Sequence, residues 1–147
     1  MVRLSPLKLN NYFIEELHVV VRPLKLEKPT PLPELLPEDL DVMIEHFEGE
    51  NAPGHFLCHL QIKLKETGKL IPYYFLVRLI GAFELDTQGL NRQQCDTHIQ
   101  FSMPSLLWAV AREILKDQMA KGPYPPVMLP VVTFLPEKVE GTAKLKG

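Results

Sequence analysis

Residues 103–134 constrain the fold of this chain most, because they join a clear helical pattern to a segment that cannot be helical. Pro104 suits the first turn of a helix, where its missing N–H costs nothing, and Ser102 is placed to cap that turn. The apolar positions then follow the spacing of one helical face: Leu107, Val110, Ala111, Ile114. Gly122 followed by a proline predicts the end of this helix.

Beyond that helix, four prolines lie within the eight residues 123–130. Proline has no backbone N–H and fixes φ, so a central strand is excluded as well as a helix. An extended, polyproline-like path is predicted instead. Residues 122–134 are called the proline ribbon below.

Four segments upstream carry strand patterns: residues 13–21, 41–48, 55–64 and 70–84. The third alternates most regularly, with apolar residues at every second position from Phe56 to Leu64, which predicts a half-buried antiparallel strand. In the first segment the alternation places Phe13 on the same face as Leu17. The fourth is apolar on both faces over residues 73–80, so it needs cover on both sides. One helix cannot supply that cover, and the sequence therefore predicts oligomerisation.

Residues 24–40 contain four prolines and several leucines, which predicts a crossover segment lying on apolar surface. We take residues 1–134 as a single domain and residues 135–147 as a flexible tail.

Composition excludes several function classes. A net charge of −2 gives no electrostatic case for binding nucleic acid, and no apolar run is long enough for membrane insertion. Two cysteines do not make a disulfide framework, so a cytoplasmic location is expected.

No constellation of residues predicts catalysis, a metal or a cofactor. On a strand, Cys58 faces away from His55 and His59, so these three residues do not form a metal site. Glu15 and Glu16 are adjacent, which on a regular strand points them to opposite faces and excludes an acid–base dyad. We therefore predict a protein that is not an enzyme.

The aromatic and leucine residues form the candidate site instead. Together with the proline ribbon, they are predicted to line an apolar groove that binds unfolded or extended client polypeptides through apolar burial, as a holdase does. For any one of these aromatic or leucine residues, the competing interpretation is that its side chain packs in the hydrophobic core. The predicted client-binding residues are Leu32, Leu35, Leu36, Phe47, Tyr73, Tyr74, Phe83, Trp108, Tyr124 and Phe134.

Residues 103–134 resemble the C-terminal part of the SecB-type protein-export chaperones. The family pattern is C-P-x-x-L-F-P-Y-A-R-E, a helix, R-G-x-[FY]-P-P, a leucine–proline run and P-V-x-F. The residues that match it are Met103, Pro104, Leu107, Trp108, Ala111, Arg112, Glu113, Lys121, Gly122, Tyr124, Pro125, Pro126, Leu129, Pro130, Val131 and Phe134. Residues 81–84 also fit the G-I-F pattern of the family.

The resemblance implies an α+β fold, in which a four-stranded antiparallel sheet carries a long helix on one face. It also implies a homotetramer, assembled as a dimer of dimers, and a function in holding preproteins unfolded for export. Because the resemblance implies that the long helices pack against each other, the predicted oligomer interface is Leu107, Ala111, Arg112 and Leu115.

The chain departs from the family pattern at several places. Met103 replaces the family cysteine, and Trp108 is not followed by the family's proline and tyrosine. Residues 135–147 differ from the second helix and acidic tail of the family. Residues 17–21 and 74–77 contain no acidic side chain, so the resemblance does not extend to docking of the export ATPase, SecA. Two alternatives stay open: a dedicated chaperone for the antitoxin of a toxin–antitoxin system, and an oligomeric adaptor or scaffold without chaperone activity.

Overall fold

A computed structural model describes residues 2–23, 34–66 and 69–134 of the protein. Four antiparallel strands form one sheet in the order β1-β4-β3-β2. Their bounds are β1 Leu7–Val21, β2 Leu40–Gly49, β3 Ala52–Leu64 and β4 Tyr73–Leu85. With the long helix described below, this architecture confirms the predicted α+β fold.

The first strand is longer and less regular than its sequence pattern suggests. It begins at Leu7, which pairs with Leu85, and its register shifts between Leu9 and Asn11 and again between Ile14 and Glu16. Each shift inserts an extra residue and so reverses the alternation that follows it. The prediction that Phe13 shares a face with Leu17 is therefore wrong, because the second bulge lies between them.

One helical run follows the sheet. It comprises α1 (Arg92–Thr97), a π-helical turn (His98–Ser102) and α2 (Met103–Met119). Asn91 caps its start, accepting a hydrogen bond from the Gln94 N–H, while the Gln94 side chain accepts one from the Asn91 N–H. The predicted cap at Ser102 is therefore wrong, because Ser102 has helical φ and ψ and makes no capping hydrogen bond.

The π-turn explains how Pro104 fits inside this run. A proline within a regular α-helix crowds the carbonyl four residues earlier and leaves it without a donor. Here the preceding Met103 N–H donates to His98 O, five residues back, so the turn is wider where the ring enters. The helix continues past Pro104 for this reason, and α1 becomes an extension of α2.

The core lies between α2 and one face of β3 and β4. The predicted inward positions of β3 are confirmed, since Cys58, Leu60 and Ile62 have no exposed surface. Gly81 sets the distance between helix and sheet, because a Cβ there would lie 2.8 Å from Leu107 Cδ2. The helix contributes Met103, Leu107, Ala111, Leu115 and Met119 to this core.

The outer face of the sheet is a mixture of apolar and charged groups. Phe13, Phe47 and Leu57 are 53%, 43% and 45% exposed there, and no described residue packs over them as α2 covers the inner face. The prediction of an oligomer rests on this uncovered face and stays a prediction.

Near the middle of the outer face, Arg78 Nη1 lies 3.4 Å from Glu15 and 3.2 Å from Glu16. The prediction that these two glutamates point to opposite faces is wrong, because the bulge at Ile14 and Glu16 turns both carboxylates toward Arg78.

The end of the crossover segment is held by a buried ion pair. Asp39 is 3% exposed, and its Oδ2 lies 2.6 Å from Lys69 Nζ and accepts a hydrogen bond from the Leu36 N–H. These contacts hold the pKa of Asp39 below its usual range, the Lys69 hydrogen bond most of all. The pair joins residues 34–39 to the segment before β4 and positions Leu35 in the core.

Candidate peptide-binding groove

The proline ribbon runs back along α2 and is held there by side chains instead of a strand ladder. Trp108 Nε1 donates to Pro130 O at 2.9 Å, and Arg112 Nε donates to Leu129 O at 3.0 Å. Within the ribbon, the side chains of Val127 and Leu129 are buried. Helix side chains therefore satisfy carbonyls of a segment whose prolines prevent it from joining the sheet.

Tyr73 fixes the corner where α2 ends and the ribbon begins. Its hydroxyl donates to Tyr124 O at 2.7 Å, lies 3.1 Å from Met119 O, and accepts from the Tyr124 N–H at 3.1 Å. Gly122 passes so closely that a Cβ would clash with this hydroxyl. Tyr73 is 1% exposed, so it positions the ribbon and offers no surface to a client.

An open cleft of about 260 Å³ lies where α2 and the ribbon meet. Val131 is 83% exposed at its rim, whereas the Trp108 ring is 5% exposed and stacks edge-on against Phe134 at 5.9 Å. The residues that line the cleft are Ser105, Trp108, Ala109, Arg112, Glu113, Val131 and Val132. The cleft is smaller than a typical pocket for a drug-sized ligand, so it suits one or two side chains of an extended chain.

The electrostatics of the cleft centre on Arg112. Two other arginines are half-buried, and both are paired: Arg22 with Glu66 at 2.7 Å, and Arg78 with two glutamates. Within the part of the chain that the structure describes, the guanidinium of Arg112 has the Leu129 carbonyl as its hydrogen-bond acceptor and no carboxylate at ion-pair distance. The Nη atoms of Arg112 have no hydrogen-bond acceptor among those described residues.

The structure brings only some of the predicted client-binding residues together. Trp108 and Phe134 meet at the cleft, and Tyr124 stacks edge-on against Tyr73 at 6.2 Å. Phe83 and Leu35 are each 1% exposed and belong to the core, as the competing interpretation had it.

Three further residues lie elsewhere. Phe47 is on the outer face of the sheet beside His59, at 5.4 Å between ring centroids. Tyr74 is also on the outer face, with the Arg22 guanidinium 5.1 Å from its ring centroid. Leu36 is 39% exposed at the end of the crossover segment. Leu32 lies outside the described residues, as does most of the crossover.

The predicted oligomer-interface residues lie mainly inside the single chain. Leu107, Ala111 and Leu115 are at most 1% exposed and face the sheet, while Arg112 lines the cleft. The face of α2 that points outward carries Leu106, which is 41% exposed. The prediction needs this correction: a contact between helices of two copies would use the outward face.

Val131 and Val132 are cleft residues that the sequence analysis missed as site residues. A signal was present, because adjacent β-branched residues on an extended chain point to opposite sides, so both cannot pack against the helix. One apolar side chain of such a pair is expected to face solvent or a ligand.

The titratable groups offer no sign of a metal centre. Among residues 2–23, 34–66 and 69–134, no three His, Cys, Asp or Glu side chains are grouped closely enough to hold a metal ion. Burial raises the pKa of Cys58 to about 12, and His55 lies 3.4 Å from Glu84 on the outer face.

In the same described ranges, no helix has both the length and the apolar character needed to cross a membrane.

A family model described as preprotein translocase subunit SecB matches residues 18–136. The chain is similar to the Mycobacterium tuberculosis SecB-like chaperone Rv1957, solved in complex with a ChAD peptide from the Rv1956 HigA1 antitoxin. The two share 12% sequence identity with a TM-score of 0.59, over 86% of this chain and 88% of that chain.

A protein of unknown function from Streptococcus agalactiae is also similar, with 9% identity and a TM-score of 0.46, over 84% of this chain and 96% of that one. No curated protein sequence matches the chain. At 12% identity, the likeness to the M. tuberculosis chaperone shows a shared fold.

Proposed function

Because the chain belongs to the SecB family, whose model covers residues 18–136, we propose that it is a molecular chaperone that binds extended client polypeptides without ATP. The observation that carries this proposal is the cleft between α2 and the proline ribbon, where apolar surface stays open beside firmly anchored backbone. A rigid, preformed site binds an extended segment without first having to order itself.

The cleft suits a holdase better than a catalyst. It offers apolar contact from Ala109, Val131 and Val132, and none of its described lining residues is a nucleophile paired with a base. Burying apolar surface contributes roughly 25 cal/mol per Å² and makes little distinction between sequences. A bound client is withdrawn from folding and aggregation by mass action.

Aggregation suppression tests the proposal. We expect the protein to suppress aggregation of several unrelated unfolded clients, and we expect Val131→Asp to weaken suppression severalfold, because it places a charge on the apolar rim. Met43→Asp is the matched control, since Met43 is 56% exposed on the outer face of the sheet, away from the cleft. Loss of suppression by the Met43 variant and not by the Val131 variant would place client binding on the outer face and refute the groove.

Two narrower roles follow from the comparisons. The family description favours a role in protein export. The similar M. tuberculosis chaperone was solved with an antitoxin peptide, which favours a dedicated antitoxin client. Client breadth separates them: a dedicated chaperone binds one partner tightly and suppresses aggregation of unrelated clients poorly. An adaptor or scaffold would suppress none of them.

A homotetramer, built as a dimer of dimers, belongs to the same proposal. The exposed Phe13, Phe47 and Leu57 on the outer face and Leu106 on the outward face of α2 are apolar surfaces that a subunit contact would cover. Light scattering at micromolar concentration tests this, and a clean species of 16.8 kDa would refute it.

We further propose a cytoplasmic protein without nucleic-acid partners or membrane insertion. SecA docking is not part of the proposal, because residues 17–21 and 74–77 are not acidic.

A further inference from the structure

We propose that the outward face of α2 binds the same face of a second copy of this chain, antiparallel, with Glu113 of each copy against Lys116 of the other. This inference rests on the proposed homotetramer and deepens it, because it names the contact surface, its register and its use in client binding. The surface is called the outward row below, and its members are Leu106, Ala109, Glu113, Lys116 and Ala120.

The outward row forms a second face of α2, opposite the face that packs on the sheet. All its members are exposed, and they recur at steps of three and four residues, which places them along one side of the helix. The inward face uses Leu107, Ala111 and Leu115, which are at most 1% exposed. The described chain therefore covers one face of α2 and leaves the other to solvent or to a second copy.

The charges of the outward row are self-complementary. Neither Glu113 nor Lys116 has an ion-pair partner, in each other or elsewhere, among the described residues. In an antiparallel pair of helices related by a two-fold axis, residues that lie equally far from the axis in sequence face each other. Glu113 and Lys116 lie equally far from the point between Ile114 and Leu115, so each glutamate meets a lysine of the partner subunit. Parallel helices would instead place glutamate against glutamate, which is repulsive.

The residues on either side of this charged centre permit close contact. Ala109 and Ala120 also lie equally far from the same point, so an alanine meets an alanine on each side of the ion pairs. Such short side chains let two helix axes approach to about 8 Å, the low end of the usual interhelical range. Leu106, which is 41% exposed, lies further out and would be covered by the end of α2 in the partner subunit.

This contact also changes the cleft between α2 and the proline ribbon. Ala109 and Glu113 belong to the outward row and line the cleft as well. The helix of the second copy therefore forms an outer wall that the single chain lacks, opposite Val131, which is 83% exposed at the rim. A client segment is then held between the ribbon of one copy and the helix of the next, so the client site is incomplete in a monomer.

Charge reversal tests the register in the full-length protein. Glu113→Lys and Lys116→Glu each place like charges opposite each other, so either should weaken the contact more than about 100-fold. Light scattering at micromolar concentration should then show a lower mass. The double variant E113K/K116E restores opposite charges at both positions and should restore the mass. Arg92→Glu is the matched control, since Arg92 is exposed about six helical turns before Glu113, and it should leave the mass unchanged.

Aggregation suppression tests the shared client site. At equal protomer concentration, both single variants should lose most of the suppression that the unmodified protein gives, and the double variant should regain it. Because the replaced side chains are exposed, circular dichroism should show the same folded spectrum for all variants. Full suppression by a dissociated single variant would show that one chain holds a complete client site, and would overturn the shared site.

The outcomes separate this inference from the proposed function. An unchanged mass in both single variants, or a double variant that stays dissociated, overturns the inference and leaves the chaperone and tetramer proposals standing. A clean species of 16.8 kDa for the unmodified protein overturns the inference together with the tetramer. Suppression of aggregation by that species would still support the chaperone proposal.

Discussion

Replacing Tyr73 by Phe should destabilise the protein by about 2 kcal/mol, because the change removes only the hydroxyl that ties α2 to the proline ribbon. That hydroxyl donates one hydrogen bond and accepts another at 1% exposure. A typical hydrogen bond contributes about 1 kcal/mol net, and the ribbon groups it satisfied are drawn away from water. For a domain of this size, 2 kcal/mol lowers Tm by about 6 °C.

Urea unfolding and calorimetry measure this loss. All samples need the same protomer concentration, because oligomerisation would make Tm depend on it. Tyr12→Phe is the matched control, since Tyr12 is 43% exposed on β1 and its hydroxyl has no hydrogen-bond partner in the described structure, so it should change stability by less than about 0.5 kcal/mol. Equal effects of the two substitutions would refute the role given to the Tyr73 hydroxyl.

Three other substitutions or treatments test different parts of the fold. Gly81→Ala should destabilise by about 1–3 kcal/mol, measured by urea unfolding, since its Cβ would lie 2.8 Å from a leucine carbon of α2; an unchanged midpoint would contradict the close packing. Because the Lys69 hydrogen bond lowers the pKa of folded Asp39, the pair stabilises the fold above the ordinary pKa of 3.8 and this contribution is lost as the pH falls below it. The stability difference between the native protein and Asp39→Asn should therefore shrink in urea titrations below pH 3.8, and a constant difference down to pH 3 would count against the ion pair. A thiol reagent at pH 8 should modify Cys95 and spare Cys58, whose pKa burial raises to about 12; both should react in urea, and rapid native labelling of Cys58 would contradict its burial.

Much of the fold was predictable because its strongest patterns are regular. Strict alternation in β3 identified both the strand and its buried face, and the helical spacing around Leu107 identified α2. The features that escaped prediction are irregular ones. The bulge between Ile14 and Glu16 exchanges the two faces of β1, and no glycine or proline marks it in the sequence. The π-helical turn lets the helix continue past Pro104, where the sequence predicted its first turn.

The candidate site was less predictable than the fold, because an aromatic residue that packs in a core looks the same in sequence as one that lines a groove. Trp108 and Phe134 meet at the cleft, whereas Phe83 is in the core and Phe47 is on the opposite face of the sheet. Tertiary packing determines which of these aromatic residues lie in the core and which line the cleft, and local sequence patterns do not predict that packing. The contact between Arg112 and Leu129 O joins residues 17 positions apart, so no short motif predicts it.

The anchoring of the proline ribbon limits how another extended chain could pair with its backbone. An extended polypeptide lying against an ordinary edge strand can continue its ladder of hydrogen bonds, which is how edge strands recruit further chains into aggregates. Four prolines in the ribbon remove N–H donors, and α2 already occupies the carbonyls of Leu129 and Pro130. The ribbon is therefore a poor template for β-structure, and a client bound as proposed would meet it through side chains without continuing a strand ladder.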